Sequence, residues 1–239
     1  MPELRNITLG ELFAEVCSRF GERVAVEYLG EKTSYAQLDA YTDVLARGFL
    51  ALGMKKGSRA AIWGNDRPNT LFCFLAMEKL GVVAVMLGTS LQAGELEALL
   101  ELSEAEYLFF DDGFRDVSFP AVCRSMPKGR MKKHIYIGPG SEPDFDCLSS
   151  IEALAKAVSS EELVRARAAV KPQDTDMILF TSGTTSASKG VMTTHFSRAN
   201  VALAHVAALR ATEQDKFCVA IPMFHCFSLT ANVLAALMC

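Results

Sequence analysis

The 239-residue chain has no basic excess and only a small acidic one. Its 24 Lys and Arg stand against 28 Asp and Glu, a formal net charge of −4. Without a basic surplus, the electrostatic footprint of a nucleic-acid-binding protein is missing. The densest basic stretch, residues 128–133, is short, lacks interleaved aromatics and reads as a solvated loop. The seven cysteines include no Cys-x-x-C pair, and the four histidines show no zinc spacing, so no metal ligands are assigned. An odd cysteine count in mostly apolar surroundings reads as reduced core residues of a cytoplasmic protein. No long apolar run is uninterrupted: residues 71–88 are broken by Glu78 and Lys79 and read as a buried helix and strand, not a membrane span. The opening residues 1–6 are polar with no apolar stretch behind them, which argues against a signal peptide. No solenoid-type repeat occurs.

Half of the residues are hydrophobic, ample for a core, and their patterning alternates between helix and strand. Thr8 and Glu11 form a capping box that opens a helix toward Phe20. Ser34 and Gln37 open a second helix, with Leu38, Tyr41, Leu45, Phe49 and Leu52 at three- and four-residue spacing. Strands are expected at 59–63, 82–86 and 106–110, a helix apolar nearly all round at 70–80, and another helix at 94–102. The pattern is lost over 113–130, and a weak strand at 134–137 precedes a polar loop at 138–150. Helices at 151–158 and 161–169 lead to an apolar strand behind Asp176. A helix at 196–210, a strand at 216–221 and a helix from Ser228 complete the pattern. The expectation is an α/β fold with mostly parallel sheets flanked by helices. A division into residues 1–145 and an incomplete second unit, 146–239, is placed near the 138–150 loop.

The most informative stretch follows Phe180. Thr181, Ser182, Thr184 and Thr185 surround Gly183, and Lys189 and Gly190 come soon after. Glycine lets successive N–H groups turn toward an anion, hydroxyls add donors and lysine adds a point charge. The reading is a polyphosphate-binding loop at a strand end, where ligands of open α/β sheets sit. It is not a Walker A loop, because Lys189 precedes Gly190 instead of following it, and no Ser or Thr follows as a magnesium ligand. A plain Ser/Thr/Gly-rich surface loop is the alternative.

These residues resemble the signature of the adenylate-forming (AMP-binding, ANL) superfamily: acyl-CoA synthetases, luciferases and peptide-synthetase adenylation domains. Thr181-Ser182-Gly183-Thr184-Thr185 and Lys189-Gly190-Val191 match its phosphate loop, and Thr194-His195 the pair that usually follows. Pro222-Met223-Phe224-His225 is similar to its Pro-Leu/Met-Phe/Tyr-His element. Segments 33–38, 57–62 and 79–85 resemble further family elements in the family's order. Segments 62–65, 212–216 and 222–227 are most like medium- and long-chain fatty-acyl-CoA synthetases.

The resemblance implies part of the large N-terminal domain of an ATP-dependent acid–CoA ligase, most simply a fatty-acid one. It implies ATP, Mg2+ and coenzyme A as cosubstrates or cofactor, and an acyl-adenylate followed by a thioester. Thr181, Ser182, Gly183, Thr184, Thr185, Lys189 and Gly190 would hold the phosphates, with Lys189 and Thr184 assisting pyrophosphate departure. Phe224 and His225 would flank the acyl substrate, although His225 also admits a structural reading as a helix-end cap. His195 is read as structural, capping the helix behind it, and Asn65-Asp66-Arg67 as a turn before Pro68. Two further readings stay open: a domain loading a carrier protein, and a degenerate relative that binds without making adenylates.

Three positions depart from the family pattern: Ser186 and Ser228 replace glycines and Ser188 a proline. A serine forced to positive φ at 186 would cost about 1–2 kcal/mol, and the lost proline about 0.5 kcal/mol in loop ordering. The family's later elements, a Tyr-Gly-x-Thr-Glu segment, a ribose-binding aspartate and a C-terminal lysine, do not occur. Together with an apolar helical pattern at 229–239, this predicts an N-terminal piece, inactive alone as a ligase and prone to self-association.

Overall fold

The computed structural model describes residues 3–127, 129, 131–181 and 188–239. Helix α1 (Leu9–Phe20), the hairpin of β1 (Val24–Tyr28) and β2 (Glu31–Ser34), and α2 (Tyr35–Ala51) come first. Then follow β3 (Arg59–Trp63), α3 (Pro68–Leu80), β4 (Val83–Met86), α4 (Ala93–Ser103) and β5 (Tyr107–Phe110). A small hairpin of β6 (Gly113–Phe114) and β7 (Val117–Ser118) leads to α5 (Phe119–Ser125). Next are β8 (Lys133–Tyr136), β9 (Asp146–Cys147), α6 (Leu148–Leu154) and, after a 3-10 turn, α7 (Ser160–Ala168). β10 (Thr175–Thr181), β11 (Lys189–Thr194) and α8 (His195–Leu209) precede a π-helical segment, Phe227–Leu234, and the short α9 (Ala235–Leu237).

One seven-stranded sheet runs in the order β11-β10-β4-β3-β5-β8-β9. β10 and β11 form an antiparallel hairpin, and every other neighbouring pair is parallel. A parallel sheet must be covered on both faces, and the alternation of side chains meets that demand. Ala60, Ile62, Ala84, Met86, Phe109 and Leu179 join the core built with α1, α2 and α3. Ala61, Trp63, Val85, Leu108, Phe110 and Ile178 face the opposite core, with Leu96, Leu100 and Phe119. Trp63 stacks on Phe119 with ring centroids 3.6 Å apart. The sheet draws strands from both sides of residue 145.

The capping boxes at Thr8 and Ser34 form as their spacing predicts. Helix α3 is buried from Thr70 to Leu80, including Glu78 and Lys79. Each of those charges is paired: Lys79 meets Asp39 at 2.6 Å and also Asp43, and Glu78 belongs to a cluster described below. Gly81 ends the helix at φ +65°, where a Cβ would come within 3.0 Å of Val170 Cγ2. The left-handed turn and the close approach both call for glycine.

Three expectations need correction. The strand expected at 216–221 does not form: among the described strands none runs alongside it, and most of these residues are exposed. A short apolar run cannot make a strand without a neighbour for its backbone groups. Conversely, residues 189–194, where no strand is expected, form β11, because β10 supplies that neighbour. The patternless 113–130 stretch holds β6, β7 and α5, where the Ser118 hydroxyl caps the helix. Among the described residues no helix is long and apolar enough to cross a membrane.

Candidate functional site

The carboxyl ends of the parallel strands define one edge of the sheet, and three segments converge there. The first is the β3–α3 loop. Arg67 reaches Asp111 Oδ1 at 2.7 Å and Asp112 Oδ2 at 3.1 Å, while Asn65 Nδ2 donates to Asp111 Oδ2 at 3.1 Å. Asp111 is almost wholly buried, and burial raises its carboxyl pKa, opposed by the Asp112 amide and Arg67. This network ties the end of β3 to the end of β5. The turn expected at Asn65-Asp66-Arg67 is present.

The second segment follows β4. Trp63 Nε1 donates to the Gly88 carbonyl at 3.1 Å. A Cβ at Gly88 would lie 3.6 Å from the Phe224 ring, so Phe224 rests on bare backbone there. The Phe224 and His225 rings also touch in a tilted arrangement, with centroids 4.4 Å apart and planes at 46°. His225 is exposed, its N–H donates to the Pro222 carbonyl at 3.0 Å, and its carbonyl accepts from Leu229 N at 3.0 Å. That turn is fixed to the β3 loop by Asp66, whose Oδ1 accepts the Met223 N–H at 2.8 Å. Asp66 is exposed as a residue, yet desolvation of its carboxyl raises its pKa, with the Met223 amide and His225 pulling the other way. Ser228 is buried and donates to the Ile221 carbonyl, so this departure from the family pattern closes the turn.

The third segment is the β10–β11 hairpin. Leu179 pairs with Met86, so two residues further on Thr181 comes level with Gly88. Across the hairpin Thr181 pairs with Lys189, and Phe180 with Gly190. A Cβ at Gly190 would press to 3.2 Å from Ile178 Cγ2. Thr181, Ser188, Lys189 and Gly190 are exposed. Ser182, Gly183, Thr184, Thr185 and Ser186 lie outside the described residues. Thr181 and Lys189 set a hydroxyl and an ammonium opposite each other at the paired strand ends, donors of the kind a polyphosphate takes. The register thus brings Thr181, Lys189, Phe224 and His225 to one end of the sheet.

A fourth group lies at the base of the hairpin, buried except for the half-buried Thr193. Arg198 Nη1 is 2.9 Å from Asp176 Oδ2 and 3.4 Å from Glu78 Oε1. Its Nε donates to Thr230 Oγ1 at 3.1 Å. Thr193 Oγ1 donates to Asp176 Oδ1 at 2.7 Å. His195 Nδ1 approaches Glu78 Oε2 to 3.1 Å as an ion-pair contact, without hydrogen-bond alignment. Burial alone would lower the His195 pKa, but Glu78 and Asp176 carry it above the ordinary value. Burial and the like charge of Asp176 raise the Glu78 pKa, against His195 and Arg198. Glu78, Asp176 and His195 are close enough to share a cation, and Arg198 already fills that role. His195 is structural as expected, but it does not cap α8: Thr194 Oγ1 does, accepting from Ser197 N.

The sequence reading missed Asp176, Arg198 and Glu78 as a group. The available signal was Glu78 on a helix apolar all round, since a buried charge needs a partner.

Comparison with known proteins agrees with this architecture. The family described as AMP-binding enzyme matches residues 13–239. The chain belongs to that family. YngI of Bacillus subtilis, whose name assigns it to the acyl-CoA synthetases, is 32% identical over 252 residues, spanning 98% of this chain and 46% of YngI. The 2-succinylbenzoate–CoA ligase of Bacillus velezensis is 31% identical over 211 residues, 88% of this chain and 38% of that enzyme. The crystal structure of the anthranilate CoA ligase AuaEII superposes with a TM-score of 0.83 at 19% identity, over all of this chain and 44% of that one, a likeness of fold. The chain therefore spans less than half the length of these relatives.

Proposed function

We propose that this chain carries the phosphate-binding and acyl-facing elements of an AMP-forming acid–thiol ligase. The observation that carries the reading is the register at the sheet edge, which brings Thr181 and Lys189 level with the Gly88–Phe224–His225 contact. A carboxylate oxygen of the acid attacks the α-phosphorus of ATP, the bond to the bridging oxygen breaks, and pyrophosphate leaves. Residues 181–190 hold the β- and γ-phosphates, and Lys189 neutralises charge on the leaving group. Magnesium accompanying the phosphates supplies further charge neutralisation. Phe224 and His225 wall and orient the acid, so the protein contributes positioning and electrostatics with no covalent nucleophile. Coenzyme A is the thiol that then displaces AMP from the acyl-adenylate, and the protein works in the cytoplasm.

The acid is a fatty acid in our first reading, supported by the likeness of residues 62–65 and 222–227 to fatty-acyl ligases. An aryl acid is the second, favoured by the succinylbenzoate ligase at 31% identity. Acid-dependent ATP–pyrophosphate exchange, measured on the native-length chain with fatty, aryl and amino acids, separates them. Exchange with one class names the substrate. Silence of a folded protein across all classes contradicts the proposal and favours the degenerate relative.

A further inference from the structure

We propose that Arg198 is a positioning residue that locks the phosphate-loop hairpin against the segment bearing Phe224 and His225. The proposal rests on the reading of those two segments as halves of one site. A single buried guanidinium touches both. Through Asp176 it holds β10, and through the Thr193–Asp176 bond it holds β11. Through Nε it holds Thr230, in the π-helical segment Phe227–Leu234 that follows His225. Leu229 N bonds back to the His225 carbonyl at 3.0 Å, so a displacement at Thr230 is passed to His225 within one turn. On the third side, Glu78 anchors the same guanidinium to α3, and the Phe74 ring lies 5.1 Å from its centre.

The chemistry makes this a lock and not merely a filler. A planar guanidinium donates in fixed directions, so its partners are held at defined angles as well as distances. Asp176, Glu78 and Arg198 are all nearly inaccessible to water. Charges removed from water must stay paired, so the network cannot slide by small steps. Breaking the link to Asp176 or the link to Thr230 frees the hairpin and the acyl-facing turn from each other. Asp176 lies five residues before Thr181 and Thr193 four after Lys189, so the lock grips both strands at the base of the hairpin.

The test uses hydrogen exchange, read by mass spectrometry on the native-length chain. Thr230→Val removes only the acceptor on the acyl-facing side and nearly conserves volume. We expect exchange to speed at least fivefold in a peptide covering 222–234 and at least threefold in one covering 175–194. The strands Arg59–Trp63 and Tyr107–Phe110, which report global opening, are expected to stay unchanged. Arg198→Lys keeps the charge but loses the fork, and reproduces the Thr230→Val pattern. Faster exchange confined to 222–234, no change anywhere, or equal acceleration in the reference strands overturns the lock. A parallel titration with magnesium–ATP should show severalfold weaker binding by Thr230→Val, although Thr230 lies outside the phosphate loop. If neither protein binds ATP, the proposed function fails while the exchange data still decide the lock.

Discussion

The buried His195–Glu78 pair makes the protein lose stability as pH rises through neutrality, and the sign follows from the geometry. His195 is wholly inaccessible and 3.1 Å from Glu78, with Asp176 and Arg198 completing the cluster. Both His195 and Glu78 titrate above their ordinary values, 6.5 and 4.5, in the folded chain. The folded state therefore binds more protons than the unfolded one. By linkage, the stabilisation from His195 is fully present below about 6.5 and is lost as pH climbs through its folded value. One retained proton sets a ceiling of about 1.4 kcal/mol per pH unit. His134 acts oppositely, because burial lowers its pKa, but that contribution is confined to more acid pH. The assay is urea unfolding between pH 7.0 and 8.0, for the wild type and His195→Gln. The wild type should lose up to about 1 kcal/mol over that unit, and the variant distinctly less. Equal slopes in the two proteins, or wild-type stability that rises with pH, would refute the reasoning.

Other expectations follow from single contacts. Asp66→Ala removes the acceptor of the Met223 N–H and should lower stability by only about 0.5–1 kcal/mol, given the exposure of Asp66, while speeding exchange at Met223. Asp66→Asn, which keeps an acceptor, should show less than half of that acceleration, and equal effects would contradict a hydrogen-bonding role. Gly48→Ala would drive a methyl into the Ile151 side chain and carbonyl where α2 meets α6, with a loss of about 1–3 kcal/mol in urea unfolding; an unchanged midpoint would show that α6 can move away. Toward a thiol reagent, exposed Cys218 and Cys226 should react first. Cys17 and Cys123, whose thiols burial pushes up to about 12, should react only on unfolding.

Local signals were legible where a few neighbouring residues decide the structure. The boxes at Thr8 and Ser34, the apolar helix ending at Gly81 and the parallel strands behind it all follow from short-range patterning. What was not legible depends on distant partners. β11 is largely exposed and is a strand only because β10 lies beside it, whereas residues 216–221 are a strand-like apolar run with no such neighbour among the described strands. Arg198 meets Glu78 across 120 positions of sequence and Thr230 across 32, so spacing alone gives no hint of the cluster. Within the candidate site, Thr181, Lys189, Phe224 and His225 were singled out from their motifs. Their convergence needed the β4–β10 register and the bare backbone at Gly88, and Asp66 was seen only as part of a turn.

The most direct test of the central claim is ATP–pyrophosphate exchange by the native-length chain, wild type against Lys189→Ala, with magnesium and a responsive acid. Lys189 is exposed at the hairpin mouth, so its removal should leave the unfolding midpoint unchanged. The account predicts acid-dependent exchange in the wild type and a loss of about 100-fold or more in the variant, in the range for removing one preorganised charge stabiliser. Exchange by Lys189→Ala at the wild-type rate would contradict it.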